Sequence, residues 1–150
     1  MFLKEQIVSD LKVALKSGAQ FKTGVLRLLI AALHNREIDK HSKGLGDALI
    51  DEEALQVLAS EAKKRKESIE IFSKGERPDL AAKEEQELEI IKNYLPKQLN
   101  SEEVEKAVEE IIDRSGAKDF GQAMKAVMQE LRGKADAQGV SELVKKKLGG

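Results

Sequence analysis

The sequence predicts an all-α protein with an N-terminal bundle of about four helices followed by a small three-helix C-terminal unit. Three observations predict this class. Apolar residues recur at three- and four-residue spacing along most of the chain, no segment alternates as a strand would, and glycine or proline stands at segment ends. Apolar residues make up 41% of the chain, which is enough to form a hydrophobic core.

The first two helices are predicted from apolar spacing. From the start of the chain, apolar residues recur at helical intervals, at Leu3, Ile7, Leu11 and Leu15. Gly18 ends that run. Residues 25–38 are more apolar and are predicted to form the most buried helix, whereas residues 41–50, which contain two glycines, are predicted to form a loop.

The third and fourth helices are predicted from their end signals. Asp51 is expected to cap a long helix that Gly75 ends. Pro78 suits the first turn of the next helix, and Pro96 is expected to end it.

The last three helices carry clearer N-terminal signals. Asn100 or Ser101 is expected to cap the fifth helix. Asp119, with Gln122 three residues later, resembles a capping box for the sixth helix. The seventh helix is expected to begin near Asp136.

The boundary between the two halves is predicted within residues 93–101, where a proline stands beside a helix cap. This gives an N-terminal helical domain of residues 1–96 and a C-terminal three-helix domain of residues 97–150. The chain has 26 basic and 27 acidic side chains, so the molecule as a whole is not an obvious binder of polyanions. The charge is uneven, however: residues 47–99 carry nine basic and thirteen acidic side chains, and residues 120–150 carry six and three.

Several function classes are excluded by composition. Without cysteine the chain has no disulfide, no thiol nucleophile and no cysteine-bound zinc, and its two histidines are too few for a histidine-rich zinc centre. It also has no Gly-x-Ser-x-Gly elbow. We therefore expect no catalytic residue, no metal and no cofactor. Charges interrupt the N-terminus too early for a signal peptide, and no apolar run approaches a membrane span. We expect a soluble cytoplasmic protein with no membrane partner.

Two charged constellations have a structural interpretation that is favoured over a functional one. His34 and Glu37 could share a helix face, but the polar edge of a helix end is the favoured explanation. The four cations of residues 63–66 look like a nucleic-acid patch. Consecutive helical positions point all round the helix, however, and Glu61 with Arg65 makes a favourable i,i+4 pair. A solvated, salt-bridged surface is favoured there.

The stretch "RGKADAQGVSELVKKKL", residues 132–148, is the strongest candidate site. Gly133 allows close backbone approach, the helix N-terminus at Asp136 offers free amides, and Lys134 stands beside them. A phosphate fits this arrangement. A capped closing helix explains it equally well, because Asp136 is a good N-cap and carries a negative charge where a phosphate would bind.

The lysines at the end of the same stretch point in different directions. Lys145 and Lys146 lie away from the apolar face of the predicted helix, and Lys147 falls within it, where its stem is expected to snorkel. Aromatic residues are only 3% of the chain, so platforms for stacking bases are not expected. If RNA binds, we expect contact with the phosphate backbone and a strong dependence on salt.

Residues 63–108 resemble the signature of the YqeY family, and residues 120–148 resemble that family's C-terminal unit. The resemblance covers nearly the whole chain, and its most specific parts are "YLPKQL" and "GKAD". One departure is Gly139 in the first turns of the last helix, which is expected to cost up to about 1 kcal/mol relative to alanine.

The family's C-terminal unit is similar to the tail domain of the B subunit of the tRNA-dependent amidotransferase, and a similar appendage occurs on some bacterial glutaminyl-tRNA synthetases. The resemblance implies a helical module that helps to hold tRNA. Carried over by position, the expected tRNA-binding residues are Lys125, Arg132, Gly133, Lys134, Lys145 and Lys146. Those expected to shape the backbone are Gly121, Ala135 and Asp136.

Three functions follow as hypotheses. The first is a non-catalytic, tRNA-associated accessory module. The second is a protein–protein adaptor whose partner is an aminoacyl-tRNA synthetase or an amidotransferase subunit, as the acidic middle of the chain suggests. The third is a carbon–nitrogen ligase with glutamine as amido-N-donor. We interpret that activity as a label inherited through the shared tail, because the sequence shows no nucleotide site.

Overall fold

The computed structural model describes residues 2–149, and over that range the chain forms helices and no strand. The prediction of an all-α protein is confirmed. The helices follow one another through short loops, and they are α1 (Leu3–Ser17), α2 (Gln20–Ser42), α3 (Asp51–Lys74), α4 (Pro78–Lys92), α5 (Ser101–Ser115), α6 (Phe120–Leu131) and α7 (Ala137–Lys147).

The chain divides after Leu95 into two compact units. The N-terminal unit contains α1 to α4, and the C-terminal unit contains α5 to α7. Each unit has its own cluster of buried apolar side chains, so each has the core that an independent domain needs.

The N-terminal unit is built from two antiparallel helix pairs. Lys4, at the start of α1, lies 2.7 Å from Glu37, near the end of α2. Arg65 of α3 lies 3.4 Å from Glu87 of α4 across the second pair. The centre of the unit is filled by side chains with no exposed surface, namely Ile7, Leu26, Leu29, Leu33, Leu58 and Ile91. Burial of each such side chain contributes about 1.5–3 kcal/mol.

Helix α2 is longer than the predicted segment, and neighbouring helices hold its polar C-terminal end. It runs from Gln20 to Ser42 rather than over residues 25–38. Near its end, Glu37 binds Lys4, and Lys40 lies 2.6 Å from Glu53 of α3. The face opposite the core is exposed along the whole helix, at Phe21, Gly24, Leu28, Ala31, Asn35 and Ile38.

The predicted cap of α3 is wrong. Ile50 occupies the N-cap position, and the carboxylate of Asp51 accepts a hydrogen bond from the backbone N–H of Leu3 at 2.9 Å. Glu53 compensates, since its carboxylate accepts from the backbone N–H of Ile50 at 3.2 Å. The Asp51 side chain, which was predicted to cap α3, is therefore bound by α1 instead.

Helix α4 begins with Pro78, as predicted, but it ends earlier than predicted. Its last residue is Lys92, and Pro96 follows a turn. In that turn the hydroxyl of Tyr94 donates to the carboxylate of Asp10 in α1 at 2.6 Å. Burial and this carboxylate raise the pKa of Tyr94 above its ordinary range.

The C-terminal unit packs three helices around one apolar cluster. Its most buried side chains are Val108, Ala123, Val127, Val140 and Val144. Those that share a helix, Ala123 with Val127 and Val140 with Val144, are four residues apart, which is a helical spacing.

Side-chain caps begin two helices of this unit. Asn100 accepts from the backbone N–H of Glu103 at 2.8 Å, and the Glu103 carboxylate accepts from the N–H of Asn100 at 3.4 Å, which completes a capping box. Asp119 accepts from the N–H of Gln122 at 2.8 Å. The Gln122 side chain accepts from Lys118 rather than from Asp119, so the second predicted box is only half formed.

Candidate nucleic-acid interface in the C-terminal unit

The "GKAD" segment forms the turn between α6 and α7. Gly133 has φ 78°, in the left-handed region that favours glycine. The backbone N–H groups of Lys134 and Ala135 both donate to the carbonyl of Leu131, at 2.9 and 3.2 Å. Gly133 is therefore needed first for the reversal of the chain, whatever ligand the turn binds.

The "YLPKQL" segment holds this turn in place. The side-chain amide of Gln98 donates to the carbonyls of Pro96 and Gly133, and the backbone N–H of Leu99 donates to the carbonyl of Lys134 at 2.9 Å. The two motifs most specific to the family resemblance thus meet in the C-terminal unit. We refer to these hydrogen bonds as the clasp.

The start of α7 lies directly after the clasp. Asp136 occupies the N-cap position in an extended conformation, as predicted, but its side chain makes no capping hydrogen bond. Its backbone carbonyl accepts from the N–H of Val140 at 3.0 Å. Gly139 lies in the first turn, and nothing lies within 4 Å of the position of an added Cβ. A larger side chain fits there.

Gly121 is the second residue of α6 and is exposed. An added Cβ there would lie 3.5 Å from the Asp119 carboxylate, which is an ordinary contact. Packing gives no reason for glycine at this position. Ala135, by contrast, packs against the core of the C-terminal unit.

The basic residues expected at the interface fall into separate groups. Lys134 is exposed at the turn, beside the half-buried Arg132 that ends α6. Lys145 and Lys146 are exposed in the last turn of α7. A helix of eleven residues is about 16 Å long, so the two groups lie at opposite ends of α7 rather than at one corner. Lys125 is exposed within α6.

Lys147 is engaged by the neighbouring helix. Its ammonium group lies 3.5 Å from the carboxylate of Glu109 and 3.4 Å from that of Asp113, both in α5. These carboxylates reduce the charge that Lys147 presents to a phosphate. Its neighbours Lys145 and Lys146 make no ion pair with the residues that the structure describes.

A shallow groove separates α5 from the end of α7. Lys146 and Lys147 line it from α7, and Glu105 and Glu109 line it from α5. Carboxylates repel a phosphate that enters this groove. Phosphate contacts of Lys146 are therefore expected on the side of α7 away from α5.

In the basic run at residues 63–66, carboxylates engage both Lys64 and Arg65. Arg65 forms ion pairs with Glu61 and with Glu87, and its side chain is only 11% exposed. Lys64 lies 3.3 Å from Glu61. The predicted Glu61–Arg65 pair is present, and the run is a salt-bridged surface of the N-terminal unit.

The histidine candidate has an equally ordinary environment. The Nδ1 atom of His34 lies 3.6 Å from the Glu37 carboxylate, which Lys4 already binds at 2.7 Å. No cluster of histidine and acidic side chains in residues 2–149 is arranged to hold a metal ion. Over the same residues, no helix has both the length and the apolar character that a membrane span requires.

Several fungal proteins that are similar to this chain carry the name Altered inheritance of mitochondria protein 41, mitochondrial. The protein of Lachancea thermotolerans is 44% identical over 87 residues, which cover 57% of this chain and 44% of that protein. The protein of Vanderwaltozyma polyspora is 33% identical over 115 residues, covering 71% and 59%. The protein of Saccharomyces cerevisiae strain YJM789 is 31% identical over 130 residues, covering 85% and 66%. The chain spans about half the length of the curated relatives it matches.

These names correct one expectation. The cytoplasmic location predicted from the sequence is wrong, because the similar proteins are named as mitochondrial. The absence of cysteine does not indicate the compartment, because the redox state of the compartment does not affect a chain without thiols.

The family assignment is independent of those names. The family model described as Yqey-like protein matches residues 4–148, which include α1 from its second residue, α2 to α7, the clasp and the lysines of α7. The resemblance seen in the sequence is confirmed, and the chain belongs to the YqeY family.

Proposed function

We propose that this chain is a non-catalytic module that binds tRNA, with lysines of its C-terminal unit contacting backbone phosphates. One observation carries the proposal. The four lysines that the family resemblance assigns to the interface, Lys125, Lys134, Lys145 and Lys146, are all exposed and form no ion pair within the described part of the chain, a property that they share with Lys97, Lys106 and Lys118 of the same unit. Cations that carboxylates leave available are the groups that attract a polyanion.

The spacing of these lysines favours an extended phosphate backbone over a single small anion. The turn lysine and the two lysines at the end of α7 are separated by about 16 Å along the helix. A nucleic-acid duplex carries charge roughly every 1.7 Å along its axis, so both ends of α7 have phosphates within reach. The clasp fixes this spacing because it holds the turn on which Lys134 stands.

The proposal assigns no chemistry to the chain. Amide-forming activity would belong to a partner, such as an amidotransferase subunit or a synthetase, and the module would contribute affinity for the RNA. The names of the fungal relatives support a mitochondrial setting for this role.

Charge reversal tests the proposal directly. The variant with Lys134→Glu, Lys145→Glu and Lys146→Glu is compared with wild type by titrating labelled total tRNA at two salt concentrations. We expect at least about a hundredfold loss of affinity at the lower salt. We also expect a salt slope smaller by about two to three, because three phosphate contacts are removed.

A matched control separates this site from overall charge. The exposed N-terminal lysines Lys12, Lys16 and Lys22, each replaced by glutamate, change the net charge by the same amount. The proposal expects a much smaller loss in this control. Equal losses in the two variants, or tRNA binding that neither set affects, would contradict the assigned interface.

A protein–protein adaptor is the second candidate, and the exposed face of α2 that lies opposite the core favours it. Its six residues repeat at alternating three- and four-residue spacing and carry no charge, as in a helix that packs on another helix. The partner would present an amphipathic helix. Leu28→Lys, at the middle of this exposed face, should abolish capture of a synthetase or amidotransferase subunit while leaving tRNA binding intact. Capture unchanged by that substitution would exclude this surface.

A further inference from the structure

Phe120 is the one aromatic residue of the C-terminal unit, and it is exposed. Phe120 lies seven residues before Val127 in the sequence, a spacing that predicts the buried face of α6. In the structure the residue is 40% exposed and lies outside the apolar cluster that Val127 and Leu131 join. Phe120 is the first residue of α6, so its ring lies beyond the end of the core.

The ring has a cationic neighbour. The ammonium group of Lys145, in the last turn of α7, lies 5.7 Å from the ring centroid. A cation–π contact at an exposed site is weak, so this lysine side chain moves off the ring at little cost. Lys118 is exposed nearby, and the intervening Asp119 accepts a hydrogen bond from the N–H of Gln122. An exposed ring is thus placed among available cations.

We propose that Phe120 and Lys145 form a stacking site for one unpaired nucleobase, with the base on the ring and a neighbouring phosphate on the lysine. This rests on the proposed function and deepens it. Every base has a π-face that stacks on an aromatic ring, and the contact does not depend on sequence. One ring receives one base, so low aromatic content excludes a stacking tract but not this site.

The site also explains which part of a folded RNA meets this end of α7. A base stacked within a duplex has no free face, whereas bases in loops and at ends are unstacked and available. Lys134, at the other end of α7, has no aromatic neighbour within the C-terminal unit. The two ends of α7 therefore have different roles: Lys134 contacts paired backbone, and Phe120 with Lys145 contacts an unpaired nucleotide.

The chain offers a clean reporter for stacking because it contains no tryptophan. In the variant Phe120→Trp the indole is the single tryptophan, and a stacked nucleobase quenches its emission. The variant is titrated with total tRNA, with an unstructured oligonucleotide and with inorganic polyphosphate, which carries charge but no base. We expect quenching by the first two and little change with polyphosphate. Bound tRNA, detected by the anisotropy of a label, with unchanged indole emission would overturn the stacking site.

A second pair of variants measures the contribution of the ring. Phe120→Leu should weaken tRNA binding about tenfold without changing the salt slope, because a stacked base is lost and no phosphate contact is removed. Phe120→Tyr should bind as wild type does. Urea unfolding of both variants verifies that the fold is intact. Wild-type affinity in Phe120→Leu would overturn this inference and leave the proposed function standing, whereas no tRNA binding by the wild-type chain would overturn both.

Discussion

Two runs of consecutive cations, residues 63–66 in α3 and residues 145–147 in α7, have different fates in the fold. In the first run, Glu61 of the same helix engages both Lys64 and Arg65. Arg65 is engaged a second time from α4, so its guanidinium group is nearly covered. Through Arg65, this run links α3 to α4.

In the second run, within the described residues, a carboxylate engages only one cation. Lys147 lies beside Glu109 and Asp113 of α5, and the other two lysines remain outside ion-pair distance of any described carboxylate. Glu142 stands one turn before Lys146, yet the two form no ion pair. A run of cations in a sequence therefore indicates positive charge, but it does not indicate whether a ligand can reach that charge. The carboxylates on neighbouring helices decide which cations a ligand can reach.

The largest expected effect comes from breaking the first run. Arg65→Met leaves the carboxylates of Glu61 and Glu87, each about 15% exposed or less, without their shared cation. Removing one partner of a fully buried pair costs roughly 3–5 kcal/mol, and partial exposure reduces this to about 2 kcal/mol. Urea unfolding monitored by circular dichroism measures the loss.

Lys64→Met is the control for that experiment. The Lys64 side chain is 65% exposed, and its pair with Glu61 should contribute less than about 0.5 kcal/mol. Equal destabilisation by the two substitutions would mean that Arg65 is no more structural than its neighbour. The contrast between the two runs would then be lost.

A smaller effect is expected from removing an acidic charge beside the second run. Glu142 lies three residues before Lys145 and four before Lys146, where its charge opposes an approaching phosphate. Glu142→Gln should therefore strengthen tRNA binding about two- to threefold at low salt, and salt screening should reduce the gain. Fluorescence titration at two salt concentrations measures it.

Glu67→Gln, directly after the first run, is the matched comparison. It removes the same charge in the N-terminal unit without releasing a paired cation, and it should leave tRNA affinity within the error of the titration. If the two substitutions strengthened binding equally, the gain would reflect net charge. The lysines of α7 would then have no special role.

Local signals in the sequence were sufficient for most of the fold. Periodic apolar residues predicted the helices, and Asn100 and Asp119 cap helices in the structure as their types predict. Gly18 ends α1 in the left-handed conformation for the same local reason. These features depend on residues within a turn of one another, which a pattern in one sequence can show.

Features that depend on distant residues were missed. Asp51 failed as a cap because Leu3, far away in sequence, takes its carboxylate. The clasp joins Gln98 to Gly133, and no spacing rule connects those positions. For the candidate site, the sequence named residues but could not show their arrangement, because a helical wheel of α7 contains neither α5 nor Phe120.

The smallest expected effect separates Lys147 from its neighbour. Lys147→Gln removes a cation that α5 already engages, so tRNA affinity should change less than twofold. Losing the contacts with Glu109 and Asp113 should lower the free energy of unfolding by about 0.5 kcal/mol, as for other exposed pairs. Lys146→Gln should show the reverse pattern: unchanged stability, and affinity several-fold weaker because one phosphate contact is lost. Parallel urea unfolding and tRNA titration of the two variants measure both quantities. Equal losses of affinity would mean that the carboxylates of α5 do not withhold Lys147 from RNA, and the distinction between engaged and available cations would fail within a single helical turn.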